Sequence, residues 1–374
     1  MKSVLISGGG IAGLALAVSL NRQGFAPTVV ERADGLRGGG QAVDVRGVAL
    51  DVVDRLGMLE EVRAHRTRMR GMSVLDGDGR EIHRSTESTF SSGRLDSEDI
   101  ELLREDLVRV LHDRAAAEGV ELVFGDTVTA LDRGEDEDGA FIRFERAEPR
   151  RFDLVVGADG LHSTVRRLAF GPEERFARHL DMHLAIFRAN NFLALEDWQL
   201  WLREGEAGYG VYPVRGNSEL RISFGFAGEP LSAGRRDPEA QKAFVAERMT
   251  ALRWETPRLL KALAEAPDLY CDSMAQIHLD HWSRGRIVLL GDAGYCASPL
   301  SGQGTSLALV GAYVLADALT RSAGSTTPPT PSTSGGCARS SGSIRRWPPT
   351  TRAGRLPRSR WSGRRTRSRW TDDD

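Results

Sequence analysis

Apolar and polar positions divide this chain into alternating strand-like and helix-like stretches from its first residues. Ser3-Val4-Leu5-Ile6-Ser7 is an apolar run bounded by Gly8-Gly9-Gly10, which predicts a buried strand. An apolar helical run follows to Gly24, and Val29-Val30-Glu31 closes a second strand. Val48 to Leu56 predicts a short helix stopped by Gly57. Met72 to Leu75 and Glu81 to His83 alternate around Asp76-Gly77-Asp78-Gly79, a hairpin signal. Leu102 to Ala117 reads as an amphipathic helix with Leu103, Leu107, Val110 and Leu111 on one face. Val120 to Phe124, Thr127 to Asp132, Phe141 to Phe144 and Phe152 to Val156 read as strands.

The pattern changes between residues 183 and 226. His183 to Arg188, Trp198 to Leu202, Tyr209 to Val214 and Leu220 to Phe226 alternate at a period of two and are rich in aromatics, which predicts an antiparallel sheet with one covered face. Most of these aromatics suit a sheet core, and a few suit a pocket for a flat apolar molecule. Phe244 to Arg253 and Arg258 to Glu265 are helical, Gly285 to Ala293 is a buried strand ending in Gly-Asp, and Thr305 to Leu319 is an apolar helix.

Composition narrows the function classes. With 40% apolar and 27% charged residues the chain has ordinary globular composition, and no apolar run is long enough to span a bilayer. Cys271, Cys296 and Cys337 are odd in number and far apart, which points away from a disulfide framework or zinc site and toward a reducing cytoplasm. His179, His183 and His278 lack metal-ligand spacing. Residues 1–338 carry 39 basic and 49 acidic side chains, a net of −10, which argues against nucleic acid as the partner of the main body.

Three stretches carry chemistry. Gly8-x-Gly10-x-x-Gly13 sits at a strand-to-helix junction: Gly8 for the tight turn, Gly10 for close approach of a pyrophosphate, Gly13 for helix–strand packing. The helix N-terminus offers its free N–H groups, and Glu31, 18 residues beyond Gly13, can accept hydrogen bonds from ribose hydroxyls. Phe152 to Gly160 ends an apolar strand in Asp159-Gly160, with Ser163 and Arg166 on the helix expected next. Gly291-Asp292 ends the third strand, and Pro299-Leu300-Ser301-Gly302-Gln303-Gly304 opens the last helix. The glycines of Arg37 to Asp44 suggest backbone close to a ligand, or a surface loop; Arg104 suits a phosphate contact or a solvated position.

These stretches, in this order over roughly residues 2–320, resemble the class A flavin monooxygenases of the p-hydroxybenzoate hydroxylase group. Arg37 to Asp44 together with Arg104 is most similar to the tetracycline-inactivating and polyketide-hydroxylase branch. The resemblance implies an α/β fold in which a Rossmann-like FAD-binding domain (residues 1–70, 100–172 and 280–321) carries an inserted antiparallel-sheet substrate domain (71–99 and 173–279). It implies a cofactor-binding set of Gly8, Gly10, Ala12, Gly13, Glu31, Arg32, Arg37, Asp44, Arg104, Asp159, Asp292, Pro299, Gly302, Gln303 and Gly304. In that branch the positions matching Asp44, Arg104 and Asp292 contact FAD, and the one matching Arg37 is linked to NADPH. The implied reaction is hydroxylation of an aromatic or polyketide-like small molecule: NADPH reduces FAD, O2 forms a flavin C4a-hydroperoxide, and its distal oxygen passes to the substrate. This leaves most of the chemistry to the cofactor and needs no protein nucleophile. The alternatives are a flavin-dependent reductase or dehydrogenase without oxygen insertion, or a non-catalytic flavoprotein remnant. Gly294-Tyr295 departs from the family's Ala-His after Gly-Asp-Ala.

From Ser322 onward Ser, Thr, Pro, Gly and Arg dominate, and residues 339–374 hold 11 Arg and 3 Asp. One reading is a disordered basic tail able to contact anionic lipid or nucleic acid. The other is a slipped reading frame between about residues 322 and 336. Plausible GC-rich codons for Cys337 to Gly354, read one frame over, spell a segment similar to the family's C-terminal helix. Resequencing the gene is expected to show the slip; mass spectrometry of native protein ending in the written tail would refute it.

Overall fold

The computed structural model describes residues 2–91, 93–133, 139–229 and 237–324; the basic tail lies outside them. The first apolar run forms β1 (Ser3–Ser7), followed by α1 (Ile11–Arg22) and β2 (Ala26–Glu31). β1 is the centre of a six-stranded sheet whose order from one edge is Ser283–Arg284, Ile287–Leu289, Leu154–Gly157, β1, β2 and Glu121–Phe124. All its pairings are parallel except the edge strand Ser283–Arg284. Val4, Leu5 and Ile6 are fully buried because helices and strands cover both sheet faces. On one face α1 packs with helices Arg104–Ala117 and Gly304–Gly324. On the other lie helix Thr164–Ala169 and the small sheet of Val128–Arg133, Ala140–Phe144 and Arg150–Phe152.

The aromatic region forms a second, seven-stranded sheet in the order Tyr270–Ile277, Ala177–Asn190, Glu219–Ala227, Ala207–Val214, Trp198–Glu204, Gly71–Leu75, Glu81–Ser85. Its alternation is that of a half-covered sheet. Ala185, Phe187, Leu202, Tyr209, Val211, Ile222, Phe224 and Phe226 pack against helices Pro238–Met249 and Thr256–Glu265. The intervening residues face the other way. The sheet is not wholly antiparallel: Trp198–Glu204 runs parallel to Gly71–Leu75, whose hairpin enters from far upstream.

Several boundaries differ from the sequence reading: the strand read as Gly285 to Ala293 is only Ile287–Leu289, and three further differences have a visible cause. Ile100–Leu103 is a strand pairing with β3 (Ala42–Val45), so the helix starts at Arg104; pairing claims Leu102 and Leu103 for β3 despite their helical spacing. Phe152 to Val156 splits at Asp153, whose carboxylate accepts from the Ser3 N–H (2.7 Å) and hydroxyl (2.9 Å) and sends the two halves into different sheets. The helix read as Phe244 to Arg253 runs instead over Pro238–Met249, with Asp237 accepting from Ala240 N as its cap.

A charge cluster joins the two sheets. Arg221, 1% exposed on the second sheet, donates to Glu105 Oε1 (2.8 Å) and Glu219 Oε2 (2.9 Å), and Arg215 reaches Glu105 (2.7 Å) and both oxygens of Asp106 (2.8 and 2.9 Å). Breaking a buried pair strands the remaining charge, at about 3–5 kcal/mol. Arg221→Met is therefore expected to destabilise the protein by about 3 kcal/mol. Arg215→Met strands Asp106, whose side chain is only 3% exposed, and should cost about as much. Urea unfolding midpoints check both; a variant within about 1 kcal/mol of wild type would refute the role of its pair.

Candidate functional site

The glycine turn after β1 is shaped by backbone proximity. Gly8 has φ +112°, and a side chain there would strike the Ala158 carbonyl and the Asp159 backbone. A side chain at Gly13 would strike the Gly8 carbonyl. These two glycines bring the end of β1, the start of α1 and the Asp159 turn into direct contact. Gly10 is the extended N-cap of α1, without a side-chain cap, and no atom lies within 4 Å of where its Cβ would stand. The first-turn N–H groups of α1 therefore have no side-chain cap.

Glu31 closes this turn from β2. Its Oε2 accepts from Gly9 N (2.9 Å); its Oε1 accepts from Ala33 N (3.0 Å) and Arg37 Nη2 (3.3 Å). Burial pushes the carboxyl up, but the Ala33 and Gly9 N–H groups and Arg37 outweigh it and hold Glu31 below the usual range. Arg32 is exposed and takes no part in the contacts that join the segments.

At the second stretch, Asp159 accepts from Ser163 Oγ (2.5 Å) and Val165 N (3.0 Å), so its carboxylate shapes the start of helix Thr164–Ala169. Crowding by protein raises its pKa. Arg166 on that helix is fully buried. It donates to Leu161 O (2.5 Å), Glu173 (2.7 Å) and Ala293 O (3.0 Å), tying the second stretch to the third. His162 sits between Asp272 and Glu173, 2.9 Å from each, and their carboxylates push it up to about 10.

At the third stretch a Cβ built on Gly291 would lie 3.0 Å from the Ala12 Cβ, which places this turn against the start of α1. Asp292 is accessible to solvent yet ringed by protein. That crowding raises its carboxyl, against the Cys296 hydrogen bond and the pull of Arg104. Asp292 Oδ1 lies 4.0 Å from a Cβ built on Gly304. Pro299, Gly302, Gln303 and Gly304 are all exposed, and Gly302 is left-handed at φ +62°. Tyr295, at the family's histidine position, is received by helix Gly304–Gly324 at Gly311, where a side chain would strike its hydroxyl.

Arg37 to Asp44 is held from both sides. Gly39 N donates to the Glu105 carboxylate, Arg221 Nε to the Gly40 carbonyl (3.2 Å), and Ala42 N to the Tyr212 hydroxyl (2.9 Å). Glu105, Arg221 and Tyr212 were not legible as site residues, because their partners are distant in sequence. Arg104, lowered first by burial and then by the charge of Arg37, is raised by the fields of Tyr270, Asp292 and Glu31, and its side chain packs against Gly40. Asp44 is 6% exposed and pairs with Arg46 at 2.7 Å, yet its Oδ1 has no partner. Burial, with Glu101 and Asp99 nearby, pushes it up to about 7 against the opposing pull of Arg46. A Cβ built on Gly302 would lie 3.8 Å from Arg46 Nη1, so this arginine connects Asp44 with the Pro299–Gly304 turn.

The structure thus brings the Gly8–Gly13 turn, Glu31, the Asp159 turn and the Gly291–Asp292 turn together at the N-terminus of α1, and links Asp44 to the Pro299–Gly304 turn through Arg46. The gathered groups are uncapped helix N–H donors, an acid at the end of β2, a second acid at Asp292, and two arginines. That is a donor and acceptor set for an extended anion bearing hydroxyls.

The family model described as FAD binding domain matches residues 1–327. An uncharacterized protein of Mycobacterium tuberculosis (strain ATCC 25618 / H37Rv) is 52% identical over 319 residues, 85% of each chain. A flavin-dependent monooxygenase of Legionella longbeachae serogroup 1 (strain NSW150) is 35% identical over 319 residues, 84% of this chain and 80% of the relative. Among solved structures, the tetracycline destructase Tet(51) superposes with a TM-score of 0.77 at 32% identity, covering 87% of this chain and 83% of the other. The glycine–acid turns around α1 and the match along nearly the whole described chain lead to one assignment: this protein belongs to the FAD-binding family of flavin-dependent monooxygenases.

Proposed function

We propose that the chain binds FAD through the set gathered around α1, takes electrons from NADPH, and uses O2 to hydroxylate a flat aromatic or polycyclic small molecule. Bound FAD supplies electron transfer and oxygen activation; the protein's task is to hold it, keep water away and orient the substrate. The observation that carries this reading is the approach of Gly8 to Asp159 and of Gly291 to Ala12, which puts three separated turns at one helix end.

The residues present fit FAD. The first turn of α1, left without a side-chain cap, suits the pyrophosphate, Arg104 offers a buried positive charge, and Glu31 suits ribose hydroxyls. Asp292 suits the ribityl chain. The unpartnered Oδ1 of Asp44 is a buried acceptor awaiting a donor. Arg37, 56% exposed beside Glu31, is placed to meet an anionic electron donor arriving from outside. We assign residues 1–70, 100–172 and 280–321 to the FAD-binding domain and 71–99 with 173–279 to the substrate domain. This division is supported by the strands: every strand of the six-stranded sheet falls in the first set and every strand of the seven-stranded sheet in the second. The structural likeness to the tetracycline destructase Tet(51) supports a polycyclic substrate.

Purified protein reconstituted with FAD should consume NADPH faster when an accepted substrate is present, and should place one atom of labelled O2 in the product. Substrate-stimulated NADPH oxidation without label would favour a reductase. Arg37→Ala should raise the KM for NADPH about tenfold with kcat nearly unchanged, corresponding to about 1.4 kcal/mol of binding.

Asp44 gives a pH test. Its folded pKa is raised, so the stability it contributes is fully present below the unfolded value near 4 and is lost as pH rises through about 7. Apoprotein should therefore melt lower at pH 8 than at pH 5, and Asp44→Asn should raise Tm at pH 8 while leaving pH 5 unchanged. The same variant should weaken FAD binding about tenfold or more, the ordinary scale for a hydrogen bond to a charged acceptor. A wild-type FAD affinity in Asp44→Asn would remove this residue from the site.

A further inference from the structure

Phe90 is 61% exposed, an unusual position for a phenylalanine, and its ring meets that of Trp201 edge-on at a centroid distance of 5.3 Å. Trp201 lies on the side of the seven-stranded sheet that carries Tyr212 and Arg221. Its register partner is Gly210, and Gly210 shares a face with Tyr212 two residues on. That face meets Arg37 to Asp44, because Tyr212 and Arg221 bond to Ala42 and Gly40. A Cβ on Gly210 would come within 2.5–2.8 Å of three atoms of the Trp201 ring, so the indole rests on bare backbone.

The indole is oriented by a chain of hydrogen bonds among neighbouring side chains. Trp201 Nε1 donates to Gln199 Oε1 (3.0 Å), and Gln199, fully buried, donates to Ser91 Oγ (2.5 Å). Ser91 Oγ in turn donates to Glu101, which also accepts from Thr67 Oγ1 (2.6 Å). What remains available is the π surface of two rings. Their place relative to the flavin-binding residues follows from Arg46, which donates to the Ser91 carbonyl (3.2 Å), pairs with Asp44 and approaches Gly302. The next strand of the same face continues with Ser223, opposite Gly210, and with Gly225, around whose Cβ position nothing lies within 4 Å.

We infer that Phe90 and Trp201, with Gly210 beneath, form an aromatic wall that receives one ring of a planar, fused-ring substrate and so sets which substrates are accepted. The inference rests on the monooxygenase reading above and names specificity residues for it. The wall is pre-ordered by the Gln199–Ser91–Glu101 chain, so little side-chain freedom is lost when a ring docks. Edge-to-face and offset-stacked geometries favour an aromatic ring over an aliphatic one of equal size. Gly210 is essential to the wall, because an added methyl displaces the indole.

The test is calorimetric titration of the FAD-loaded protein with 1,8-dihydroxyanthraquinone, a planar tricyclic phenol, with cyclohexanol as the aliphatic comparison. Wild type should bind the anthraquinone and not cyclohexanol. Phe90→Ala, Trp201→Leu and Gly210→Ala should each weaken anthraquinone binding at least tenfold, with FAD dissociation constants within twofold of wild type. Trp201→Phe, which keeps a ring, should recover most of the loss. FAD-loaded wild type that ignores the anthraquinone, or whose affinity survives Phe90→Ala and Trp201→Leu, overturns the wall alone. Wild type that takes up no FAD overturns the monooxygenase reading instead.

Discussion

The structure depends on how closely two backbones meet at Gly8. β1 and the strand Leu154–Gly157 run parallel and adjacent, with Ser7 opposite Gly157. They end together, and a methyl group at Gly8 would already occupy the space of the Ala158 carbonyl. Because the strands share register, the turns that leave them emerge at one level of the sheet. Ile287–Leu289 extends the same register on the far side of Leu154–Gly157, and Gly291 follows at that level too. Three turns from three parts of the chain are thus brought to one edge by strand pairing, the placement expected of ligand sites in open α/β sheets.

The second constraint is electrostatic. Arg37 to Asp44, which runs into β3, contains four backbone or side-chain groups that are anchored by Glu105, Arg221, Tyr212 and Arg46. Glu105 is held below the usual carboxylate range, because the Gly39 N–H, Arg215 and Arg221 outweigh its burial. Two of these anchors, Arg221 and Tyr212, belong to the seven-stranded sheet, so the loop is held in part from across the two sheets. Any shift of that sheet is transmitted to Gly39 and Gly40 through buried charge, which tolerates little displacement.

The glycine–acid turns were legible in the sequence because glycine at a strand end and an acid just beyond it have few other uses. The half-covered sheet was legible from its period of two. Leu102 and Leu103 misled because their spacing satisfies a helix as well as a strand, and only the partner Ala42–Val45, nearly sixty residues earlier, decides between them. Asp153 breaks its strand by a bond to Ser3, 150 residues away, and local pattern carries no trace of it. The same limit hid the pairing of Glu105 with Arg221, 116 residues apart in sequence, which the fold sets 2.8 Å apart. Gly294-Tyr295, a departure from the family pattern, is resolved by Gly311: the larger ring at Tyr295 is met by a missing side chain on the neighbouring helix.

The strand order carries a consequence for biosynthesis. The central sheet inserts Leu154–Gly157 between β1 and Ile287–Leu289, and the second sheet waits for Tyr270–Ile277 at its edge. A nascent chain emerging from the ribosome therefore carries β1, an apolar strand, through synthesis of some 150 residues before its neighbour on that side exists. The second sheet is complete only at Ile277 and the central sheet only at Leu289. Contacts this distant fold slowly and leave strand edges exposed meanwhile, so the growing polypeptide is a natural client for chaperones that shield apolar strands.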